Sequence, residues 1–274
     1  MKLQEIELST IHLPLVRPFR TSFGTQTSRE VLMVKVTNEN GTIGWAECVA
    51  MSEPLYSPEY VIGCLDLMKR FLIPALRAKD SITAEDVPVV LKPFLGGQMA
   101  KAALETAVLD AQLKDQGISL AKYLGATKNK VECGVSVGIA NNLDALVEEV
   151  KSYVDAGYRR IKLKIEPGWD YEAVKTIRNL YPEIPLQVDA NQAYSRNDGK
   201  LLAKLDEFNL LLIEQPLDEH DILGHALLAK EVKTPICLDE SIISLQSVED
   251  ALALKATTVI NIKPGRVGGY IESK

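Results

Sequence analysis

Histidine and cysteine are scarce in this chain, with 3 and 4 among 274 residues, and neither type clusters. Cys48, Cys64, Cys133 and Cys237 stand in apolar surroundings without the spacing of a zinc site or a disulfide framework. All four are read as buried thiols of a reducing cytoplasm. Of the histidines His12, His220 and His225, the last two are assigned surface or capping roles, and Trp45 and Trp169 are assigned to packing. No lysine or arginine block occurs and the formal net charge is −6, which excludes a nucleic-acid partner, since phosphates demand a basic stripe. Long apolar runs are missing too: the opening MKLQEIELSTIHLPL alternates, so neither a signal peptide nor a membrane span is expected. No glycine-rich phosphate fingerprint follows the first strand. Small molecules remain as the expected ligands.

What is present divides in two. Residues 1–125 read as an α+β unit of domain size. Its strands are residues 2–13, VLMVKVT and TIGWAECVA, the last two joined through the Asn40-Gly41 hairpin signal. Helices follow at 58–76 and in QMAKAALETAVLDAQLKDQG, where Ala103, Ala107 and Ala111 form one stripe and Gly117 suits a C-terminal cap. Residues 126–274 alternate strand with helix, in the order VECGVSVG, YRRIKLKI, PLQVDA, LLLIEQP, PICLDE and VINIKP. Such alternation implies a parallel sheet with helices outside. The fold class is therefore α/β: a capping domain followed by an incomplete (β/α)8 barrel of about six strands. A closed barrel needs eight, so the chain is expected to be C-terminally truncated, with two exposed strand edges prone to pairing. A homo-oligomer is expected.

Lys164, Asp189, Glu214, Asp239 and Lys263 recur at a nearly constant interval, each closing an apolar run. The carboxyl ends of barrel strands form one functional face, so the five are expected at a single site. Neighbouring carboxylates repel by roughly 4 kcal/mol per pair at about 4 Å and an effective dielectric near 20. A bare cluster of Asp189, Glu214 and Asp239 would take up protons or separate, whereas a cation resolves the conflict. All-oxygen ligation favours a hard divalent ion, Mg²⁺ with Mn²⁺ as a substitute. The alternative is three unrelated acids capping the helices that follow their strands.

Lys162 and Lys164 share one strand face while Ile161, Leu163 and Ile165 take the other. The apolar set must meet helices, which sends both lysines inward to the acids. A lysine base must lose its proton, and a second ammonium and a divalent ion nearby are expected to lower its pKa from about 10.4. Lys263, at the end of the sixth strand, is expected across the pocket from Lys164. Together these groups suit removal of a proton next to a carboxylate, with a metal stabilising the enediolate. Enolase-type sites serve as the general example of a lysine or histidine base paired with Mg²⁺. A Schiff-base aldolase using one lysine is the reading from another class.

The motifs KLK at 162, VDAN ending in Asn191, IEQP, LDES and NIKPGRVGG resemble the enolase superfamily, muconate-lactonizing subgroup. Within it, VECGVSVGI and KPGRVGG look most like o-succinylbenzoate synthase and N-acylamino acid racemase. The resemblance implies Mg²⁺ on Asp189, Glu214 and Asp239, with Lys164 as base and then acid. Lys263 would lie on the opposite face as electrostatic stabiliser or second acid/base, and Lys162 would tune Lys164. Asn191 would support the ligands from behind, or be a turn residue. The loop RPFRTSFG would close the pocket, bringing Arg20 or Phe23 to a carboxylate substrate; a plain surface loop is the alternative. Ser136 and Gly138 would line the pocket or merely pack. A dipeptide epimerase, a cycloisomerase and a non-catalytic product of truncation are the competing expectations.

Overall fold

The computed structural model describes residues 1–274, which form two compact units: Met1–Val16 with Thr27–Asn129 and Ile262–Lys274, and Arg17–Gln26 with Lys130–Asn261. Two segments therefore lie across a division at residue 125, the hairpin tip Arg17–Gln26 and the terminal Ile262–Lys274.

In the first unit, β1 (Leu3–Thr21), β2 (Gly24–Asn38) and β3 (Ile43–Cys48) form a sheet in the order β1-β2-β3. β2 and β3 pair antiparallel with Leu32 opposite Cys48 and Thr37 opposite Ile43. Alternation puts Leu32, Val34, Val36, Ala46 and Cys48 inward. Their partner is the helix Gln98–Gln116, whose Ala100, Ala103, Leu104, Ala107, Val108 and Ala111 are buried. The alanine stripe exists because the sheet comes so near: a Cβ on Gly44 would stand 2.0 Å from the Ala107 carbonyl oxygen. Gly117, at φ +63°, ends that helix by donating to the Leu113 and Lys114 carbonyls. Earlier helical residues run from Val61–Leu67 through a π-helical Met68–Leu72 into Ile73–Arg77. Pro74 lacks the N–H that regular helical bonding would use there, which accounts for the change of register just before it.

The strands of the first hairpin run further than the sequence reading allowed. RPFRTSFG is not a loop: β1 continues to Thr21, turns over Ser22 and Phe23, and resumes as β2 at Gly24.

The second unit carries six strands: β4 (Gly134–Val137), β5 (Arg160–Lys164), β6 (Leu186–Asp189), β7 (Ile213–Glu214), β8 (Ile236–Leu238) and β9 (Val259–Ile260). They are parallel and lie in chain order, with β4 and β9 at the two ends of the row. Ile161, Leu163 and Ile165 are buried, as their side of β5 requires, and join Leu186, Val188, Ile213 and Leu238 in one core with the helices. Burying each such side chain contributes roughly 1.5–3 kcal/mol. The side-chain alternation is thereby locked, since a one-residue slip would put those chains where the lysines are.

β9 is shorter than the run VINIK suggested. It stops at Ile260, and Lys263 falls beyond it, in the first unit. Asn261 N–H still donates to the Leu238 carbonyl at 2.9 Å, after which Pro264 starts the short helix Pro264–Val267, with Lys263 extended at φ −115°, ψ 113° as its N-cap. The thiols also differ from expectation: Cys48, Cys64 and Cys237 are buried, but Cys133 is exposed because it precedes β4. Trp169 packs on the core, whereas Trp45 is exposed on the outer side of β3 with Lys35 over its ring.

Candidate active site

Strand register builds the site. Lys164 lies opposite Asp189, Asp189 opposite Glu214, and Glu214 opposite Cys237. Asp239 follows β8 two residues after Cys237, so alternation sends it to the same side. Asp189, Glu214 and Asp239 are all buried, at 1 %, 2 % and 0 % exposure. The three acids and both strand lysines thus come from consecutive strand ends.

Their charges are strongly coupled. Lys162 Nζ donates to Asp189 Oδ2 at 2.9 Å and to both carboxylate oxygens of Glu214 at 3.1 Å. Lys164 Nζ donates to Asp189 Oδ2 at 2.6 Å and to Asn191 Oδ1. Burial works against the Lys162 charge, but Asp189 and Glu214 outweigh it and hold this ammonium above the ordinary lysine range. Acids rather than cations are its nearest neighbours. Burial likewise opposes charge on Asp189, and Lys164 and Lys162 prevail to bring its pKa down. Glu214 goes the other way, pushed up by burial and by the negative charges of Asp189 and Asp239.

No three acidic, histidine or cysteine side chains are gathered closely enough to hold one ion. Lys162 Nζ bridges Asp189 and Glu214. The donor chemistry nonetheless fits a divalent cation: three buried carboxylates follow from adjacent strands, and Glu214 carries the strain of its two acidic neighbours.

The loops after the strands are cross-linked. Gln215, at φ +37° and fully buried, accepts from the Asp239 and Ser241 N–H groups and donates to Ser241 Oγ and the Leu217 carbonyl. Asn191 is both a turn residue, at φ +41°, and a support: its N–H donates to Asp189 Oδ1 and its Nδ2 to Glu240 Oε1. His225 is buried rather than at the surface. Its Nε2 accepts from the Leu217 N–H at 3.3 Å and its Nδ1 donates to the Asp221 carbonyl at 2.8 Å, fixing the loop after β7.

The hairpin tip contributes Ser22, whose Oγ lies 3.1 and 3.2 Å from the Ala190 and Asn191 carbonyls. Arg20 pairs with Glu166 at 2.9 Å, and Phe23 is half-buried in the turn. Gly138 serves close approach, because a Cβ there would be 3.0 Å from the Arg20 carbonyl oxygen, to which Ile139 donates. Ser136, opposite Lys162, lines a cavity of about 300 Å³ together with Gln187, Lys162, Glu214, Cys237 and Asn261. Ser136 Oγ and Gln187 Oε1 are buried there without a hydrogen-bond partner. Gln187, Gln215, Glu240 and Asn261 had not been singled out in the sequence; a polar residue two before a strand-end acid is the signal that would have flagged Gln187.

Lys263 is held within the first unit. Its Nζ donates to Tyr56 Oη at 2.8 Å and stands 5.0 Å from that ring centre, and Arg266 Nη1 donates to the same oxygen at 3.0 Å.

A parallel β/α sheet with acids and amines at its strand ends is the arrangement of enolase-type enzymes. Residues 5–125 match the mandelate racemase / muconate lactonizing enzyme N-terminal domain and residues 145–274 match the enolase C-terminal domain-like family, so the chain belongs to the enolase superfamily. An N-succinylamino acid racemase from an Amycolatopsis species is 53 % identical over all of this chain and 74 % of its own length. An o-succinylbenzoate synthase from Geobacillus kaustophilus is 44 % identical over all of this chain and 73 % of its own length. Among solved structures, an enolase superfamily member from Listeria innocua is 40 % identical with a TM-score of 0.94, covering 100 % of this chain and 74 % of that one. No helix is long and apolar enough to cross a membrane.

Proposed function

We propose that this chain removes the proton α to a carboxylate, with Asp189, Glu214 and Asp239 holding one Mg²⁺, for which Mn²⁺ would substitute. The row Lys164, Asp189, Glu214 across β5, β6 and β7 is the observation that carries the reading. When bound, the ion would neutralise the carboxylates and stabilise enediolate charge. Lys164, buried between Asp189 and Asn191, takes the α-proton in its neutral form. In the dehydration of 2-succinyl-6-hydroxy-2,4-cyclohexadiene-1-carboxylate it returns that proton to the departing hydroxyl, giving o-succinylbenzoate and water for menaquinone biosynthesis. Lys162 keeps the acids charged and ordered. Lys263 acts from the other face, as electrostatic stabiliser here and as second acid/base in racemisation. Arg20, Phe23, Ser136 and Gly138 are proposed to border the substrate. The 44 % identical synthase supports dehydration, and the 53 % identical racemase favours N-acylamino acid racemisation as a second activity. Free thiols without a disulfide accord with a cytoplasmic setting.

The test is product formation from the cyclohexadiene carboxylate, with α-proton exchange of an N-succinylamino acid in deuterated water as its companion. Activity should vanish with chelator and with Lys164→Ala, and Asp239→Asn should lose Mg²⁺ affinity by calorimetry. Folded wild-type protein that neither exchanges nor dehydrates at saturating Mg²⁺ would overturn the proposal, as would turnover indifferent to chelator. An adduct trapped by borohydride at a lysine would favour aldolase chemistry instead.

A further inference from the structure

The turn that carries Lys263 is shaped by a residue far from it in sequence. Glu105 lies in the middle of the alanine-rich helix Gln98–Gln116 and is fully buried, at 0 % exposure. An apolar residue would fill that position without the cost of burying a carboxylate. Glu105 instead accepts hydrogen bonds from the terminal segment: its Oε1 from the Tyr270 N–H at 2.6 Å and from the Ile271 N–H at 3.2 Å.

The glycines of KPGRVGG follow from this contact. Gly269 adopts φ +138°, and a Cβ there would stand 2.1 Å from Glu105 Oε2. Gly268, at φ +104°, brings its backbone against Gln98, and Gly265 lies against Val49. Between these points the turn is internally closed. The Lys263 carbonyl accepts from the Arg266 and Val267 N–H groups, and the Pro264 carbonyl from Gly268 and Gly269. A shift at Gly269 is therefore passed to the Lys263 backbone through a short bonded unit, and from there to the Lys263 amine at Tyr56.

Resting on the role proposed for Lys263, we propose that Glu105 is a positioning residue: it anchors the GRVGG turn and thereby sets where the second amine stands. A carboxylate suits this task because its acceptor oxygens receive adjacent N–H groups and leave no other segment competing for them.

The experiment compares wild type with Glu105→Ala, Glu105→Gln and Gly269→Ala. Hydrogen–deuterium exchange reads the anchor: amide protection at Tyr270 and Ile271 should be lost in Glu105→Ala and Gly269→Ala and largely kept in Glu105→Gln, whose carbonyl still accepts. Acylation of Lys263 by a water-soluble ester, followed by mass spectrometry, should quicken in the first two variants and stay near wild type in the third. Exchange of the α-proton is then measured separately on the L and D forms of an N-succinylamino acid. The enantiomer served by Lys263 should slow by about tenfold or more in Glu105→Ala, because ångström-scale misplacement has effects of that order, while the one served by Lys164 changes little. Equal slowing on both faces would mean a merely structural residue and overturns the proposal; unchanged protection and unchanged Lys263 acylation in Glu105→Ala overturn it too. If wild type exchanges neither enantiomer, the functional reading fails, while protection and Lys263 acylation still decide whether Glu105 anchors the turn. Should Glu105→Ala not fold, Gly269→Ala and Glu105→Gln carry the comparison.

Discussion

Replacing Lys162 with methionine removes an ammonium while keeping most of the aliphatic stem. In the folded chain this ammonium bridges two carboxylates that are almost wholly buried, Asp189 and Glu214, and its own side chain is 20 % exposed. Removing one partner of a buried pair costs about 3–5 kcal/mol, because the remaining charge is left without compensation. Lys164 still serves Asp189, and Asn261 still donates to Glu214 at 3.1 Å, so the expected loss is near the lower end, about 3 kcal/mol at pH 8. The loss should shrink on acidification. Without Lys162, Glu214, already held above its ordinary range by burial and by Asp189 and Asp239, rises further and binds protons that the unfolded chain does not, so the variant gains stability as pH falls through that window. In wild type Glu214 is raised as well, but Asp189, held below the ordinary range, loses its contribution as it protonates, so the gain on acidification is smaller. Mg²⁺ at a hundredfold excess over its Kd should stabilise the variant by about 2.7 kcal/mol, and wild type by less, because there Lys162 competes for Asp189 and Glu214. Urea unfolding followed by circular dichroism, at pH 8 and pH 5, with Mg²⁺ or with chelator, measures all of this. Equal stability of variant and wild type at pH 8 in chelator would refute the charge argument, and a deficit that Mg²⁺ leaves untouched would refute the metal assignment.

His225 is buried as the neutral imidazole, its pKa lowered first by burial; its contribution is complete above about pH 6.5 and is lost as pH falls, when the unfolded chain binds a proton that the folded one resists. His225→Gln should flatten the urea midpoint between pH 7 and 5, and an unchanged slope would count against the assignment. Arg178 donates to the carbonyls of Phe208, Tyr181, Pro182, Ile184 and Asn209, so Arg178→Ala should cost about 3 kcal/mol and Arg178→Lys nearly as much, since a point charge cannot span both segments. Wild-type stability in the lysine variant would show that the fork is dispensable. Of the four thiols, Cys133 should react with a disulfide reagent in the native protein and the other three only on unfolding; fast reaction of more than one would contradict the burial pattern.

The parts of the site legible in the sequence are those set by local periodicity. Apolar runs ending in an acid or a lysine, one β-α repeat apart, place Lys164, Asp189 and Glu214 side by side because parallel pairing keeps strand ends level. The alternation of lysine with isoleucine and leucine in RRIKLK fixed which side of β5 was apolar, since only one assignment buries Ile161, Leu163 and Ile165. What escaped depends on contacts between distant segments. VINIK has the composition of a strand, yet Pro264 and the packing of three glycines draw Lys263 into the first unit. RPFRTSFG carries a proline and a glycine and reads as a loop, but its strands continue because the tip is held by Ser22 and by the backbone beside Gly138. Glu105 was invisible for the same reason: in the sequence it is one more polar position on a helix, and only the arrival of Tyr270 and Ile271 gives its burial a cause.

Charge balance links the five strand-end groups to the kind of substrate they suit. Asp189, Glu214 and Asp239 bring three negative charges and Lys162 and Lys164 two positive ones, a net of −1 when all are ionised. Lys162 is held in the positive form by its two acids; with Lys164 as the neutral base of the proposed reaction, the sum is −2. One divalent cation then brings the cluster to neutrality, whereas a monovalent ion leaves it negative and hostile to an anionic substrate. In the proposed reaction a carboxylate entering a neutral, buried cluster would meet little net repulsion, and a proton passed to Lys164 would place an ammonium beside the enediolate. Under the proposed reaction the two amines of β5 divide the work: Lys162 bridges Asp189 and Glu214, and Lys164, beside Asp189 and Asn191, would handle the proton.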